Sequence, residues 1–239
     1  MQSENWRYSI ERWCQSCADF LLPRLCAGCG RQLALQERLV CAHCQLTLPL
    51  ETNHDWLFNH RKMLWSDHTA LQRMAALVRY ERDNIASEIV RSLKFRRQYK
   101  LGDWMGRTAV KLLDDTGLFS DIDFLVPIPL TRQRLHVRGF NQAEAIARGI
   151  SAESGIPLCT DVLRRLREKE SQTHFTFVER LSNADHVFAA SNYEALTNRH
   201  IMIVDDVMTT GATMLGAITA LETIPDIHIS TFAWAWVKS

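Results

Sequence analysis

From about residue 75 onward, short apolar runs alternate with segments whose apolar residues recur at helical spacing. The runs predict strands, since a strand buried on both faces needs consecutive apolar residues, and the helical spacing predicts amphipathic helices. The predicted strands are residues 75–80, 124–126, 201–204 and 227–237, and the predicted helices are residues 85–93, 103–115, 143–150 and 214–221. This alternation is typical of an α/β fold with a mostly parallel sheet flanked by helices.

The first 74 residues have a different pattern. Residues 6–22 predict a short helix, residues 24–50 are rich in cysteine, and the polar residues that follow show no clear period. We therefore divide the chain into an N-terminal helix with a cysteine-rich module (1–50), a linker (51–74) and the α/β domain (75–239). Residues 160–190 are polar and charged, and their pattern predicts no element.

Six of the seven cysteines form three Cys-x-x-Cys pairs within the first 44 residues. The pairs Cys26/Cys29 and Cys41/Cys44 have the spacing of a tetrahedral Cys₄ zinc ribbon. A module of about 27 residues is too small for a stable core of its own, which favours a metal. Four thiolates leave no open coordination position, so we expect a structural Zn²⁺. A redox dithiol or four unliganded buried cysteines remain alternatives.

The remaining cysteines are less informative. Cys14 and Cys17 lie three residues apart on the predicted helix, where they either pack in a core or form a second metal or redox pair. Cys159 is most simply a core residue. No stretch approaches the roughly 20 apolar residues of a membrane span, and the first residues lack a basic region followed by an apolar run. We therefore expect a cytoplasmic protein without membrane insertion.

The segment from Ile201 to Thr213 carries the clearest chemistry. A buried strand leads to Asp205 and Asp206 at its carboxyl end, where ligands bind in α/β sheets. The Thr-Thr-Gly-Ala-Thr segment that follows opens a helix, whose first N–H groups can hold a phosphate. Two carboxylates can each accept a hydrogen bond from one hydroxyl of a diol. The segment thus predicts a ribose 5-phosphate site, although a solvated strand end before an ordinary helix cap is the alternative.

This segment resembles the motif with which type I phosphoribosyltransferases bind 5-phosphoribosyl 1-diphosphate (PRPP). The resemblance implies that Asp205 and Asp206 hold the ribose hydroxyls as the catalytic pair. It assigns the 5′-phosphate to Thr209, Thr210, Gly211, Ala212 and Thr213. In the reaction of that class a nucleophile displaces diphosphate from C1 of the ribose, with Mg²⁺ neutralising the leaving group.

Further motifs narrow the resemblance to the ComF family. They are Ser92-Leu-Lys-Phe95, Val126-Pro-Ile-Pro-Leu130, Arg138-Gly-Phe-Asn-Gln142 and the spaced residues Gln172, Arg180, Asn183 and Phe188. That family joins a phosphoribosyltransferase-like domain to an N-terminal zinc module and is associated with competence, the uptake of external DNA. One departure is Arg96-Arg97-Gln98, where family members often have a glycine soon after Lys-Phe.

The resemblance places the pyrophosphate loop of related transferases at residues 126–142. Arg134, Arg138 and Lys94 are therefore candidates for contacts with the diphosphate.

Charge is concentrated near the same segments. The windows 91–100 and 131–148 hold nine Lys or Arg side chains and one Glu, so they carry +8 while the rest of the chain carries −7. This distribution suits a protein that meets phosphate. Arg91, Arg96 and Arg97 equally suit a solvated helix face. A further positive surface borders the segment expected to cover the nucleophile, at Arg164, Arg165 and Arg167.

Two functions follow from these features. One is an enzyme of the pentosyltransferase class that transfers phosphoribosyl from PRPP to an unknown nucleophile with Mg²⁺. The alternative is a non-catalytic competence factor that handles single-stranded DNA alongside other competence proteins and retains the PRPP site as a ligand-sensing or vestigial site. In it, cationic side chains follow the phosphates and Trp56 or Trp65 stacks on bases. An amidophosphoribosyltransferase is disfavoured, because the first 70 residues cannot hold a glutamine-hydrolysing domain.

Overall fold

The computed structural model describes residues 23–52, 65, 67–166 and 187–237. Its helices are α1 (Ala42–Leu46), α2 (Ile85–Phe95), α3 (Tyr99–Leu113), α4 (Arg132–Arg138), α5 (Gln142–Ser154) and α6 (Ala212–Leu221), with short 3₁₀ turns at Asp114–Thr116 and Glu194–Leu196. Its strands are β1 (Leu71–Arg79), β2 (Phe124–Pro127), β3 (Leu163–Arg165), β4 (Phe188–Ala190), β5 (His200–Met208) and β6 (His228–Trp236). The predicted helix at 6–22, with Cys14 and Cys17, lies outside the described residues.

Four strands form one parallel sheet in the order β1-β6-β5-β2. The two central strands, β6 and β5, are buried on both faces, which explains their long apolar runs. Because all four strands are parallel, their carboxyl ends meet at one edge, and this edge carries the site described below. The mostly parallel α/β sheet predicted from the sequence is confirmed.

Strand bounds differ from the predicted ones at two places that matter. β5 continues past Val204 to Met208, since parallel pairing with β6 extends as far as Met208 opposite Trp236. The acid pair Asp205-Asp206 therefore lies within the strand. β1 begins at Leu71, inside the segment interpreted as linker, because partners on β6 complete its pairing despite the polar residues Gln72 and Arg73.

One helix and two strands were not predicted. Helix α4 starts at the cap Thr131, whose Oγ1 accepts a hydrogen bond from Arg134 N at 3.2 Å, and ends at Gly139 with φ of +82°. Only Leu135 and Val137 of its seven residues are apolar, which is too few to give a helical period. β3 and β4 form a small antiparallel pair at the two described ends of the segment 160–190, where the sequence predicted no element.

The cysteine-rich module shares one core with the α2, α3 and α5 side of the sheet. Ser92 on α2 donates a buried hydrogen bond to the carbonyl of Ala27 at 2.9 Å. Leu50 pairs antiparallel with Val78, so the chain that leaves the module covers the free edge of β1. Within the part of the chain that the structure describes, no helix has the length and apolar character needed to cross a bilayer.

Candidate functional site

Asp206 lies near the carboxyl end of β5 and is only 8% exposed. Lys94, from the last turn of α2, places Nζ 3.0 Å from Asp206 Oδ2. Apart from this ion pair, Oδ2 is buried and has no hydrogen-bond partner among the described residues. A carboxylate oxygen in this state is an acceptor ready for a ligand donor or a metal ion.

Asp205 has a different environment, because successive residues of a strand point to opposite faces. Its Oδ1 accepts a hydrogen bond from Asp206 N at 2.8 Å. Burial and the neighbouring Asp206 carboxylate raise the pKa of Asp205 to about 7, while that hydrogen bond, Lys94 and Arg165 act in the opposite direction. Asp205 can therefore gain or lose a proton near neutral pH.

The loop after β5 turns sharply into α6. Gly211 caps the helix with φ of +82°, and its carbonyl accepts from Leu215 N at 2.8 Å. A side chain here is excluded twice, by the left-handed backbone and because a Cβ would lie 2.5 Å from the Trp65 ring. Thr210 Oγ1 accepts from Ala212 N at 3.4 Å, which ties the loop to the first turn.

Trp65 packs against the back of this loop and is 2% exposed. The hypothesis that Trp65 stacks on a nucleic-acid base is therefore wrong for this structure, because its ring is taken up by the core beside Gly211. Trp56 lies outside the described residues.

A polar cavity of about 150 Å³ opens at this edge of the sheet. It brings together six side chains that the sequence singled out, from four separate segments: Lys94, Arg134, Arg138, Asp205, Asp206 and Thr213. Thr209 is exposed and Thr210 partly buried, and both lie on the loop beside the cavity rather than in its lining.

The arginines reach the cavity through helix α4 and the start of α5. Arg138 Nη1 donates to Gln142 Oε1 at 2.9 Å, which holds its guanidinium at the cavity wall. Asn141 caps α5 and donates from Nδ2 to the carbonyl of Ile128 at 3.0 Å, so it fastens the loop after β2. Asn141 and Gln142 also line the cavity, although the sequence analysis gave neither a role.

Arg165 also lines the cavity, a position that the sequence analysis did not predict for it. Residues on β3 alternate, so Arg165 faces the cavity while Arg164 is exposed. The only available signal was this alternation, in a segment where no strand was predicted. Arg167 lies outside the described residues.

The basic residues on α2 and just after its end differ in their surroundings. Arg91 is paired with Glu88 at 2.7 Å on a solvated helix face, as the alternative interpretation expected. Arg97 donates to the carbonyl of Val137 at 3.2 Å, and Arg96 is exposed. Of the basic side chains in the window 91–100, Lys94 is the one in the cavity lining.

The sulfur atoms of Cys26, Cys29, Cys41 and Cys44 all lie within 4.8 Å of one another. The Sγ atoms of Cys29 and Cys41 are 3.8 Å apart, which matches the edge of about 3.8 Å in a tetrahedron with Zn–S bonds of about 2.3 Å. This cluster can hold one metal ion.

Hydrogen bonds donated to two sulfur atoms of the cluster stabilise negative charge on sulfur. Cys41 N donates to Cys26 Sγ at 3.3 Å, and Arg31 Nη2 donates to Cys41 Sγ at 3.1 Å. Burial acts to raise the pKa of Cys41, but these donors outweigh it: Arg31 first, then the N–H of Cys44, bring that pKa down to about 6. The Cys41 thiol thus ionises more readily than an ordinary cysteine.

Comparison with known proteins agrees with this architecture. The family model described as phosphoribosyl transferase domain matches residues 135–225. Competence protein ComFC of Bacillus subtilis is 30% identical over 231 residues, covering 93% of this chain and 83% of that protein. Competence protein F of Haemophilus influenzae is 25% identical over 198 residues, 80% of each chain. DNA utilization protein YhgH of Salmonella typhimurium is 27% identical over 214 residues, 86% of this chain and 83% of that protein.

The sheet, the acid pair and the matched segment define a phosphoribosyltransferase-like domain. The identity to ComFC extends through the cysteine-rich module as well as this domain. The chain belongs to the ComF family, as its motifs suggested.

The raised pKa of Asp205 predicts a pH-dependent stability. Between the ordinary aspartate pKa and about 7, folded Asp205 keeps a proton that the unfolded chain releases, so the free energy of unfolding falls as the pH rises. Asp205→Asn removes this dependence. The free energy of unfolding of the variant, relative to that of the native chain, should therefore increase from pH 5 to pH 8 by on the order of 2–3 kcal/mol. Urea unfolding at the two pH values measures this difference.

Asp161→Asn is the control, because Asp161 is an exposed acid outside the cavity. A gain for Asp205→Asn that is the same at pH 5 and pH 8 would contradict the raised pKa.

Proposed function

We propose that the cavity binds PRPP and that the protein transfers its phosphoribosyl group to a nucleophile with Mg²⁺. The observation that carries the proposal is the acid pair at the end of a buried parallel strand, directly before a glycine-capped helix start. Asp205 and Asp206 would accept the ribose hydroxyls. The 5′-phosphate would bind at Thr209–Thr213, where the loop and the first N–H groups of α6 come together.

The cations around the cavity suit the diphosphate. Lys94, Arg134 and Arg138 converge on the acid pair from α2 and α4, and Arg165 adds a fourth positive charge. A guanidinium matches two phosphate oxygens at once, whereas the lysine acts as a point charge. These groups would hold PRPP with its C1–O bond beside the acid pair.

The chain's own residues would act mainly by positioning and electrostatics. As the nucleophile bonds to C1, the C1–O bond breaks and its electron pair leaves with the diphosphate. Lys94 and the arginines would stabilise the charge gathering on that diphosphate. Asp205 and Asp206 would accept hydrogen bonds from the ribose hydroxyls, and their carboxylates would stabilise the positive charge that develops on the ring.

The acid pair also fits Mg²⁺. Carboxylate oxygens are ligands that Mg²⁺ prefers, and Asp206 Oδ2 is a buried acceptor whose partner among the described residues is the Lys94 ammonium. When bound with PRPP, Mg²⁺ supplies charge neutralisation to the leaving diphosphate.

We expect PRPP with Mg²⁺ to stabilise the protein through the acid pair. At a hundredfold excess over Kd, the melting temperature should rise by about 5 °C or more, because a ligand that binds only the folded state stabilises it by mass action. Asp205→Asn with Asp206→Asn should abolish the rise, since the ribose hydroxyls lose both carboxylates.

The Asp161→Asn variant should keep the full rise. An unchanged melting temperature of the native chain at millimolar PRPP and Mg²⁺ would overturn the proposed function.

Lys94 should separate two ligands that differ only in the diphosphate. Lys94→Met should weaken PRPP binding about tenfold or more, because one cation is lost from the leaving group. Ribose 5-phosphate should bind at least as tightly as before, because Lys94 no longer competes for Asp206 Oδ2. Isothermal titration calorimetry on both ligands measures the split.

Arg91→Met is the matched control, on the same helix but outside the cavity. Equal weakening of both ligands by Lys94→Met would show a merely structural role for this lysine.

The cysteine cluster supports a second part of the proposal, a structural Zn²⁺. The purified chain should contain one Zn²⁺, and Cys44→Ser should lose it, because Cys44 is fully buried in the cluster. The module shares its core with α2 and α3, so the loss should destabilise the whole chain by more than about 3 kcal/mol. Metal analysis and thermal unfolding measure both effects.

Cys159→Ser is the control and should retain the metal, since Cys159 lies outside the cluster. A metal-free native chain whose melting temperature does not change with chelator would contradict this assignment.

A surface beside the cavity favours the alternative function, handling of single-stranded DNA. Phe95 is 73% exposed and stands next to Arg96 and Arg97, at the end of the helix that carries Lys94. An exposed ring between cations is suited to a base and its phosphates. The names of the relatives, competence and DNA utilization proteins, agree with this chemistry.

Binding of a fluorescent 20-mer of dT should therefore depend on these side chains. Arg96→Ser with Arg97→Ser should weaken binding and reduce the slope of log K against log salt by about 1.4, because each phosphate contact on a single strand contributes about 0.7. Fluorescence anisotropy at salt concentrations from about 50 to about 200 mM measures the affinity and the slope.

Arg82→Ser is the control, since Arg82 is an exposed arginine on another loop. An unchanged slope in the double variant would remove this surface from DNA binding.

A further inference from the structure

A second and larger cleft, of about 860 Å³, lies between the cysteine-rich module and α3. One wall comes from the module and the other from α3. The module wall consists of Arg24, residues 36–40, Ala42 and Gln45. It shares no lining residue with the cavity at the acid pair. Its volume lies in the range of about 300–1,000 Å³ that is typical of small-molecule sites.

The α3 wall is one face of the helix, because Lys100, Asp103, Trp104 and Arg107 recur at helical spacing. Trp104 is only partly buried, and it packs with Leu39 against the shared core. The cleft lining thus contains one aromatic side chain, Trp104, which we call the floor, together with charged, polar and small apolar side chains. A flat apolar ring is the group that an indole accommodates.

The charges around the floor leave an excess of cations. Arg107 is neutralised by Asp103 at 3.0 Å and Glu153 at 3.2 Å. The Glu37 carboxylate accepts the N–H groups of Ala34 and Ala42, at 2.8 and 2.7 Å.

Two cations at the cleft are available to a ligand. Arg38 and Lys100 are exposed on opposite walls, and neither forms an ion pair within the described ranges. Two cations facing each other across a cleft are complementary to a phosphate group.

We propose that this cleft is a nucleotide site, in which a base lies against Trp104 while its phosphate binds Arg38 and Lys100. The ligand class is a planar heterocycle carrying a phosphate, either a free nucleotide or one unit of a single strand. The site does not depend on the proposed transfer reaction, because none of its residues belongs to the acid-pair cavity.

Calorimetric titration of the zinc-loaded full chain with AMP, GMP, CMP and TMP tests the site. At least one nucleotide should bind with one-to-one stoichiometry. Arg38→Ser with Lys100→Ser should weaken it about tenfold or more, and Trp104→Leu by a similar factor. If Trp104→Leu lowers stability, the variant Arg38→Ser with Lys100→Ser decides the test, because both of the replaced side chains are exposed. Arg82→Ser is the control and should bind as the native chain does.

Nucleotides also resemble a phosphoribosyl product, so Asp205→Asn with Asp206→Asn separates the two cavities. Nucleotide binding that survives in this variant and is lost in the cleft variants supports the proposal, whether or not PRPP binds. Loss only in the acid-pair variant, or no binding to the native chain, overturns it. If a dT 20-mer binds more tightly than TMP and the cleft variants lose this binding, the ligand is a unit of a single strand. If the affinity per nucleotide is equal, the ligand is a free nucleotide.

Discussion

Two adjacent carboxylates at the end of a buried central strand are the constraint on which this structure depends. Burial and mutual repulsion make both charges costly unless donors or cations stand beside them. Lys94 beside Asp206 and the backbone N–H donated to Asp205 supply part of this compensation. The pKa of Asp205 nevertheless stays near 7, so the compensation is incomplete. A ligand with hydroxyl donors, or a cation, would complete it, and this is the physical reason for proposing a binding site at the strand end.

Helix α2 connects that site to the cysteine-rich module. Ser92 and Lys94 are two residues apart, so they point to different sides of the helix. Ser92 is bonded to the Ala27 carbonyl between two cysteines of the cluster, and Lys94 reaches Asp206. One helical turn therefore couples the packing of the module to the cation at the acid pair. This gives the Ser-Leu-Lys-Phe motif a physical reason.

The concentration of positive charge visible in the sequence has more than one structural meaning. Lys94, Arg134 and Arg138 converge on one cavity, whereas Arg148 is paired with Glu144 along α5 at 2.7 Å. Lys100 belongs to the same basic window as Lys94 and yet lines the cleft between the module and α3. Net charge in a window thus does not say which of its side chains line one cavity, because helical geometry distributes neighbours over different faces.

The sequence by itself determined the parallel α/β fold, the acid pair before a Thr-Thr-Gly loop, and the two cysteine pairs. These are local patterns, in which periodicity and short spacings specify the structure directly. Tertiary structure decided what depends on partners distant along the chain. Pairing with β6 carried β5 past Val204, and packing against Gly211 buried Trp65. The alternation of a hairpin that no local pattern predicted turned Arg165, rather than Arg164, into the cavity.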